Sequence, residues 1–268
     1  MAKKSTIQVE DVNNYIVSWL REYAENARVN GYVIGISGGI DSAVTSALCA
    51  QTGLQVLCVE MPIHQAENQI SRGQEHIEAL KAKYPNVSNV ITNLTPVFDS
   101  FKKEVPDNAE EWRINLSLAN TRARLRMTTL YYFAGIHQLL VAGTGNKVED
   151  FGVGFYTKYG DGGVDISPIA DLMKSDVYAL AEYLDIPASI QEAAPTDGLF
   201  GDSRTDEDQL GASYDELEWA MLFVASSKNE LHLSEREKEI VAIYKKLNKV
   251  NQHKMNPIPV CLIPEGFK

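Results

Sequence analysis

The 268-residue sequence contains three cysteines, Cys49, Cys58 and Cys261, and no C-x-x-C pair. A disulfide framework and a cysteine-rich metal centre are therefore not expected. Cys49 and Cys58 lie inside apolar segments, where cysteine behaves as a small hydrophobe, and Cys261 sits near the C-terminal tail as the one candidate for thiol reactivity. Long apolar runs are missing as well. No stretch reaches the roughly 18 residues that a membrane-spanning helix requires, and Met1 to Ser5 leads into polar sequence instead of a signal-peptide core. A soluble, cytoplasmic protein with no membrane partner is expected. Positive charge is also scarce, with 25 Lys and Arg against 36 Asp and Glu and a net charge of −11. A general nucleic-acid partner is therefore not expected, although a local basic pocket could hold a small anion. There is no internal repeat.

What is present is an alternation of periods. Val12, Ile16, Trp19, Leu20 and Tyr23 recur at helical spacing across residues 8–26. Tyr32 to Ile36 is a short apolar strand ending in glycines, and Ser42 to Gln51 reads as a helix. Leu54 to Met61 is a second strand, Gln65 to Lys83 a second helix of this unit, and Asn89 to Leu94 a third strand. A long helix over Glu110 to His137 feeds a fourth strand, Leu139 to Ala142. Strands apolar on both faces and alternating with helices predict an α/β fold, a doubly wound parallel sheet with helices on both faces. One domain is expected over residues 1–268. Residues 151–171 read as ordered loop, 174–184 as helix, and 214–225 and 234–247 as two further helices before a proline-rich tail. Residues 196–212 combine acids with no apolar period and are read as a mobile lid.

Ligands of such sheets bind beyond the carboxyl ends of the strands, so Gly35 to Ser42 and Gly143 to Asp150 should share one crevice. The first of these loops lacks the Walker Gly-Lys-Ser/Thr. It offers instead Ser37-Gly38-Gly39-Ile40-Asp41-Ser42 between a buried strand and a helix. The glycines allow backbone N–H groups to approach an anion, the helix N-terminus adds partial positive charge, and two hydroxyls add donors. A carboxylate at Asp41 beside a phosphate site is chemically sensible when a cation such as Mg²⁺ bridges the two. The bland alternative is a tight turn.

The S-G-G-x-D-S loop resembles the pyrophosphate loop of the N-type ATP pyrophosphatases, which cleave ATP between its α- and β-phosphates. Four further segments resemble ammonia-dependent NAD synthetase: Ala123 to Met127, Gly143 to Glu149, Thr157 to Asp165, and His253-Lys254. Together they cover most of the chain, and Thr157-Lys158-Tyr159-Gly160-Asp161-Gly162-Gly163 is the most diagnostic. The resemblance implies a Rossmann-like fold of the adenine nucleotide alpha hydrolase type. It also implies that Gly35, Ile36, Ser37, Gly38, Gly39, Ile40, Asp41, Ser42, Thr144, Lys174 and Thr196 contact ATP as co-substrate. Asp41 and Glu149 would hold Mg²⁺, while Arg124, Lys158, Asp165, His253 and Lys254 would contact deamido-NAD. Read without the resemblance, Glu149 is a helix-start acid, Arg124 part of a solvated basic face, and His253 a structural or solvated histidine.

The activity so implied is a ligase reaction in NAD biosynthesis. The nicotinate carboxylate attacks the α-phosphate, Lys174 and Mg²⁺ stabilise charge, and ammonia then displaces AMP from the acyl-adenylate. Asp165 is the expected holder of ammonium. With no glutaminase domain in the chain, free ammonia is the expected donor, and the family likeness implies a homodimer. Where many members have Asp-His-Ala-Ala, this chain has Gly145-Asn146-Lys147-Val148. The stretch from Glu149 to Lys158 is one residue longer than usual, which leaves both Glu149 and Asp150 as metal-ligand candidates. The rival readings are another ATP pyrophosphatase, such as one that thiolates tRNA, and a nucleotide sensor that binds ATP without consuming it.

Overall fold

Four short strands organise the chain in the computed structural model, which describes residues 5–65, 67–196 and 205–268. They are β1 (Gly31–Gly35), β2 (Gln55–Glu60), β3 (Val87–Ile91) and β4 (Leu139–Val141), all parallel and ordered β3-β2-β1-β4. The helices are α1 (Val9–Ala27), α2 (Ile40–Gln51), α3 (Glu67–Lys83), α4 (Thr95–Glu104), α5 (Glu111–His137), α6 (Lys174–Tyr183), α7 (Ala188–Gln191), α8 (Asp206–Leu210), α9 (Tyr214–Ala225) and α10 (Glu235–Met255). A single π-helical turn, Val148–Val153, follows β4.

Alternate residues of one strand go to opposite faces of the sheet, and both faces are covered. Tyr32, Ile34, Val56 and Cys58 pack with Leu20 of α1, Leu48 of α2 and Leu180 of α6. Val33, Leu57, Val59 and Val141 pack with Phe98 of α4 and Leu118 and Ala134 of α5. This is the expected doubly wound arrangement, and it explains why β1 and β2 carry no polar face. A third apolar cluster joins Val148 of the π-turn to Leu217 of α9 and Ile240 and Val241 of α10. It anchors the loop after β4 to the C-terminal helices. At the N-terminal end of β1, Gly31 has φ 150°, and a Cβ there would lie 2.0 Å from the backbone oxygen of Gln55. The β1–β2 pairing is so close at this point that only glycine fits.

Cys49 and Cys58 are buried free thiols and Cys261 is exposed. Among the described residues no helix is long and apolar enough to cross a membrane. Some boundaries differ from the sequence reading. The third strand ends at Ile91, not Leu94, and after three intervening residues Thr95 starts α4, which shows no period because Phe98 is its one buried side chain. The last helix continues to Met255, so His253 and Lys254 are helical and not part of a tail. Of the segment read as a lid, residues 197–204 lie outside the described residues. The remainder holds α8, capped by Thr205 accepting from the Asp208 amide, with Leu210 and Ala212 buried in the third cluster. A five-residue helix rich in acids is fixed by its cap rather than by an apolar stripe, and so gives no period to read.

Candidate active site

The loop after β1 is braced by its own hydroxyls. Ser42 Oγ donates to the Gly39 carbonyl at 2.9 Å, and the Gly39 amide donates to Ser37 Oγ at 3.2 Å. Gly38 adopts the left-handed φ of 79° that lets the chain turn back toward α2. No side chain caps the N-terminus of α2, so its first-turn amides remain open to an anion. The sequence thus builds a pre-formed anion cradle at the carboxyl end of the sheet.

Beside the cradle, three distant segments bring their charges to one point. Lys174, the first residue of α6, donates to Asp41 Oδ2 at 2.6 Å and to Glu149 Oε1 at 3.0 Å, and is only 3% exposed. Asn146, fully buried, donates to Asp41 Oδ1 at 3.1 Å and accepts the amides of Val148 and Glu149, each at 3.1 Å. That amide pair fixes the entry into the π-turn and so aims Glu149. The Tyr214 hydroxyl donates to Glu149 Oε1 at 2.5 Å, and its ring lies 4.6 Å from the Lys174 ammonium. Burial works against the charged Lys174, but attraction by Asp41 and Glu149 outweighs it and holds the ammonium above its ordinary pKa. Burial pushes the Asp41 carboxyl up, and Lys174 opposes that shift.

The cleft built on this cluster has a volume of about 260 Å³. Its lining includes every residue from Gly35 to Ser42 together with Thr144, Glu149, Lys174 and Thr196, so all the expected ATP contacts face one space. The expected deamido-NAD contacts do not line it. They form a second group, in which Arg124 reaches the Lys158 carbonyl at 3.4 Å and Lys158 Nζ donates to the His253 carbonyl. Lys254 Nζ donates to the carbonyls of Gly154 and Tyr156, both at 2.7 Å. Asp165 belongs to neither group: it accepts the Val141 amide at 2.8 Å and the Tyr131 hydroxyl at 2.9 Å, holding the end of β4.

Asp150, the alternative metal ligand, and Asp161, which the sequence names only as part of the diagnostic turn, also line the cleft. Burial, then Glu149 and Asp161, push Asp150 up to about 8, and burial pushes Asp161 up to about 6 against the amide it accepts from Thr157. Glu149, not Asp150, meets Lys174 and Tyr214, while Asp150 packs against Gly145, where a Cβ would lie 2.2 Å from its oxygens. Asn146 carried a signal, being the polar residue in a glycine loop. Tyr214 carried none, since a tyrosine at a helix start reads as core.

Asp41 and Glu149 converge on a single cation, here the Lys174 ammonium. Two hard carboxylate oxygens beside a phosphate cradle are also the donor set that suits Mg²⁺, which takes few protein ligands and fills its shell with phosphate oxygens and water. Among the described residues no group of three or more His, Cys, Asp or Glu forms a metal cage. The residues present therefore fit an ion shared with a nucleotide better than a resident one.

A doubly wound sheet whose first loop cradles anions, with acids and a lysine at the second strand end, defines a Rossmann-like nucleotide-binding protein of the adenine nucleotide alpha hydrolase type. Comparison with known proteins narrows this class. The NAD synthase family model matches residues 12–258. The NH(3)-dependent NAD(+) synthetase of Mesoplasma florum is 35% identical over 263 residues, covering 98% of this chain and 99% of that protein. The synthetase of the same name from Alkaliphilus metalliredigens is 38% identical over 251 residues, or 91% and 96% of the two chains. Among solved structures, the NMN synthetase of Francisella tularensis superposes with a TM-score of 0.80 at 30% identity, covering 97% of this chain and 99% of that one. The NH3-dependent NAD synthetase of Campylobacter jejuni gives 0.76 at 25% identity, covering 96% and 100%. The chain belongs to the NAD synthase family and is a ligase of that type.

Proposed function

We propose that this protein amidates deamido-NAD with ammonia at the expense of ATP, giving NAD, AMP and pyrophosphate. The observation that carries the reading is the meeting of Asp41, Glu149 and Lys174 beside the Ser37 to Ser42 cradle. The cradle amides and hydroxyls bind the departing phosphates. Lys174, already poised between two carboxylates, moves its charge toward the α-phosphate as the nicotinate oxygen forms its bond there and the bond to pyrophosphate breaks. Asp41 and Glu149 would hold Mg²⁺, which supplies charge neutralisation on the phosphate oxygens.

Ammonia then attacks the acyl carbon, AMP leaves with the bonding pair, and one proton must be removed from nitrogen. Asp165 was the expected holder of ammonium, but its oxygens are engaged by Val141 and Tyr131. Asp161 lines the cleft and its raised pKa lets it accept a proton near neutrality, so we assign the proton to Asp161 and the support of β4 to Asp165. In the group around Arg124, Lys158, His253 and Lys254, the guanidinium and the two ammonium groups give cations for the dinucleotide phosphates. Trp112 and Leu116 near the start of α5, and Tyr132 and Ile136 near its end on another side, expose two apolar patches, which supports homodimer contacts at that helix.

The test is formation of NAD and AMP from ATP, deamido-NAD, Mg²⁺ and ammonium, with glutamine in place of ammonium as the comparison. ATP binding without AMP formation would instead mark a nucleotide sensor. Likeness to the Francisella NMN synthetase supports a second reading in which the acid amidated is the mononucleotide. The two readings separate on kcat/KM measured for nicotinate mononucleotide and deamido-NAD side by side.

A further inference from the structure

Glu60 is the last residue of β2, at the carboxyl edge of the sheet, and it is only 6% exposed. Among the described residues its Oε2 is fully buried and has no hydrogen-bond partner. A buried carboxylate without a donor is costly, and burial alone pushes this carboxyl above its ordinary pKa. Among the described residues two other buried side-chain atoms lack partners, Thr45 Oγ1 and His76 Nδ1, but neither residue lines the main cleft or the cavity beside it. Glu60 does. It lines a side cavity of about 20 Å³ whose other walls include Ile36, Pro62, Ile70 and Ile91, and which shares Ile36, Ser37, Met61 and Gln65 with the main cleft.

That volume accepts a single water-sized group; Ser37 and Gln65 also line it, but Ser37 Oγ already accepts the Gly39 amide and Gln65 Oε1 already accepts from Arg126, which leaves Glu60 as the unpartnered acceptor that such a group would meet. Gly73 of α3 locates the spot relative to the cradle. A Cβ added there would lie 3.7 Å from Glu60 Oε1 and 3.8 Å from the Gly38 amide nitrogen, so carboxylate and phosphate loop flank one point. A nucleotide whose phosphates sit on the loop has its sugar a few ångströms away. In the dinucleotide-binding doubly wound sheets an acid about 20 residues beyond the glycine phosphate loop bonds a ribose hydroxyl, and Glu60 stands at the corresponding strand end.

We propose that Glu60 accepts a ribose hydroxyl of ATP in this side cavity and makes the enzyme select ribonucleotide over deoxyribonucleotide. The inference rests on the ATP-consuming reading above. A hydroxyl bonded to a buried charged acceptor is worth about 10- to 100-fold in affinity, and removing it leaves the acceptor unpaired again. A single carboxylate with two neutral polar neighbours suits a neutral hydroxyl donor better than a divalent ion, which needs more charged oxygens.

The test compares ATP, 2′-deoxy-ATP and 3′-deoxy-ATP by AMP or deoxy-AMP formation in the full-length wild type, Glu60→Gln and Glu60→Met. The expected result is a wild-type kcat/KM about 10- to 100-fold lower for at least one deoxynucleotide. In Glu60→Met that ratio falls toward one because ATP loses more than its analogue. Equal use of all three nucleotides by the wild type would overturn the proposal even if neither variant folds, while leaving the synthetase reading intact. So would a Glu60→Met enzyme that keeps the wild-type ratio, or one in which the KM for ammonium rises instead. Absence of any AMP formation from ATP by the wild type would remove the synthetase reading and this proposal with it.

Discussion

Replacing Lys174 by methionine should destabilise the protein sharply and turn it into a better receptor for divalent cations. The ammonium lies 2.6 Å from Asp41 and 3.0 Å from Glu149, in a cluster where the side chains are 4%, 18% and 16% exposed. Methionine fills nearly the same volume, so packing is preserved and the change is electrostatic: two like charges remain, little reached by water. Removing one member of a buried ion cluster costs about 3–5 kcal/mol. For a chain of this size each kcal/mol moves the melting temperature by about 2–4 °C, so a fall on the order of 10 °C is expected. At pH 7.5 Lys174 is charged whether folded or unfolded, so the whole effect is present at that pH. Melting followed by circular dichroism, with and without 5–10 mM MgCl₂ (roughly the range that saturates weak carboxylate sites), supplies the second half of the test. In the variant the ion replaces the missing charge, and Mg²⁺ should raise its melting temperature by more than it raises that of the wild type. Lys174→Arg, which keeps the charge, should lose less stability than the methionine variant. A methionine variant melting within about 2 °C of wild type, or one indifferent to Mg²⁺, would show that the two carboxylates do not depend on this cation.

Three further outcomes follow from single contacts. Gly31→Ala places a Cβ 2.0 Å from the Gln55 oxygen and should cost about 3 kcal/mol or prevent folding, read as soluble yield and melting temperature. Because Asp161 must be ionised to take the ammonia proton and its pKa is raised to about 6, amide formation should fall as pH drops through that value. Asp161→Asn should abolish this limb while slowing adenylation less, and loss of both half-reactions to the same extent would refute the role. Asp150 is held at about 8 in the folded chain against an ordinary 3.8, so the fold binds its proton more tightly than the unfolded chain does. Wild-type stability from this group is complete below pH 4 and is lost as pH rises to 8. Asp150→Asn should therefore gain stability over wild type across that window, on the order of 2 kcal/mol at its upper end; a melting difference independent of pH would count against it.

Much of the fold was legible because burial writes a period into the sequence. Tyr32 to Gly35 and Val56 to Val59 are covered on both faces, so they appear as unbroken apolar runs, and α1 shows its buried Ile16, Leu20 and Ala24 at helical spacing. The elements that were missed are stabilised differently. α4 follows β3 after three residues and buries one side chain fully, Phe98, so its period is a single aromatic. α8 is fixed by the Thr205 and Asp208 cap, and the extension of α10 to Met255 is held by Asn251 and Lys254 bonding backbone carbonyls of residues 153, 154 and 156. Polar bonds to backbone leave no pattern in hydropathy.

The site divides along the same line. A glycine loop between strand and helix announces itself, because the local backbone needs those residues and no others. The charge balance at the strand ends is not local. Asp41, Asn146, Glu149, Lys174 and Tyr214 are separated by up to 173 positions, counted from residue 41 to residue 214. Nothing near Tyr214 reveals that its hydroxyl meets Glu149, since Ser213 and Glu216 would cap that helix whatever the tyrosine touched. Asp161 and Asp165 show how narrow the margin is. Both stand in one glycine-rich turn, yet Asp165 spends both oxygens on the Val141 amide and the Tyr131 hydroxyl while Asp161 accepts the Thr157 amide on Oδ1 and lines the cleft. Which carboxylate is left for chemistry depends on where β4 ends, because the acid that meets the last strand amide also has its second oxygen taken, here by Tyr131. Asp165→Asn should therefore report on the fold and Asp161→Asn on the pH profile. If Asp165→Asn instead removed the acid limb without lowering the melting temperature, the two assignments would have to be exchanged.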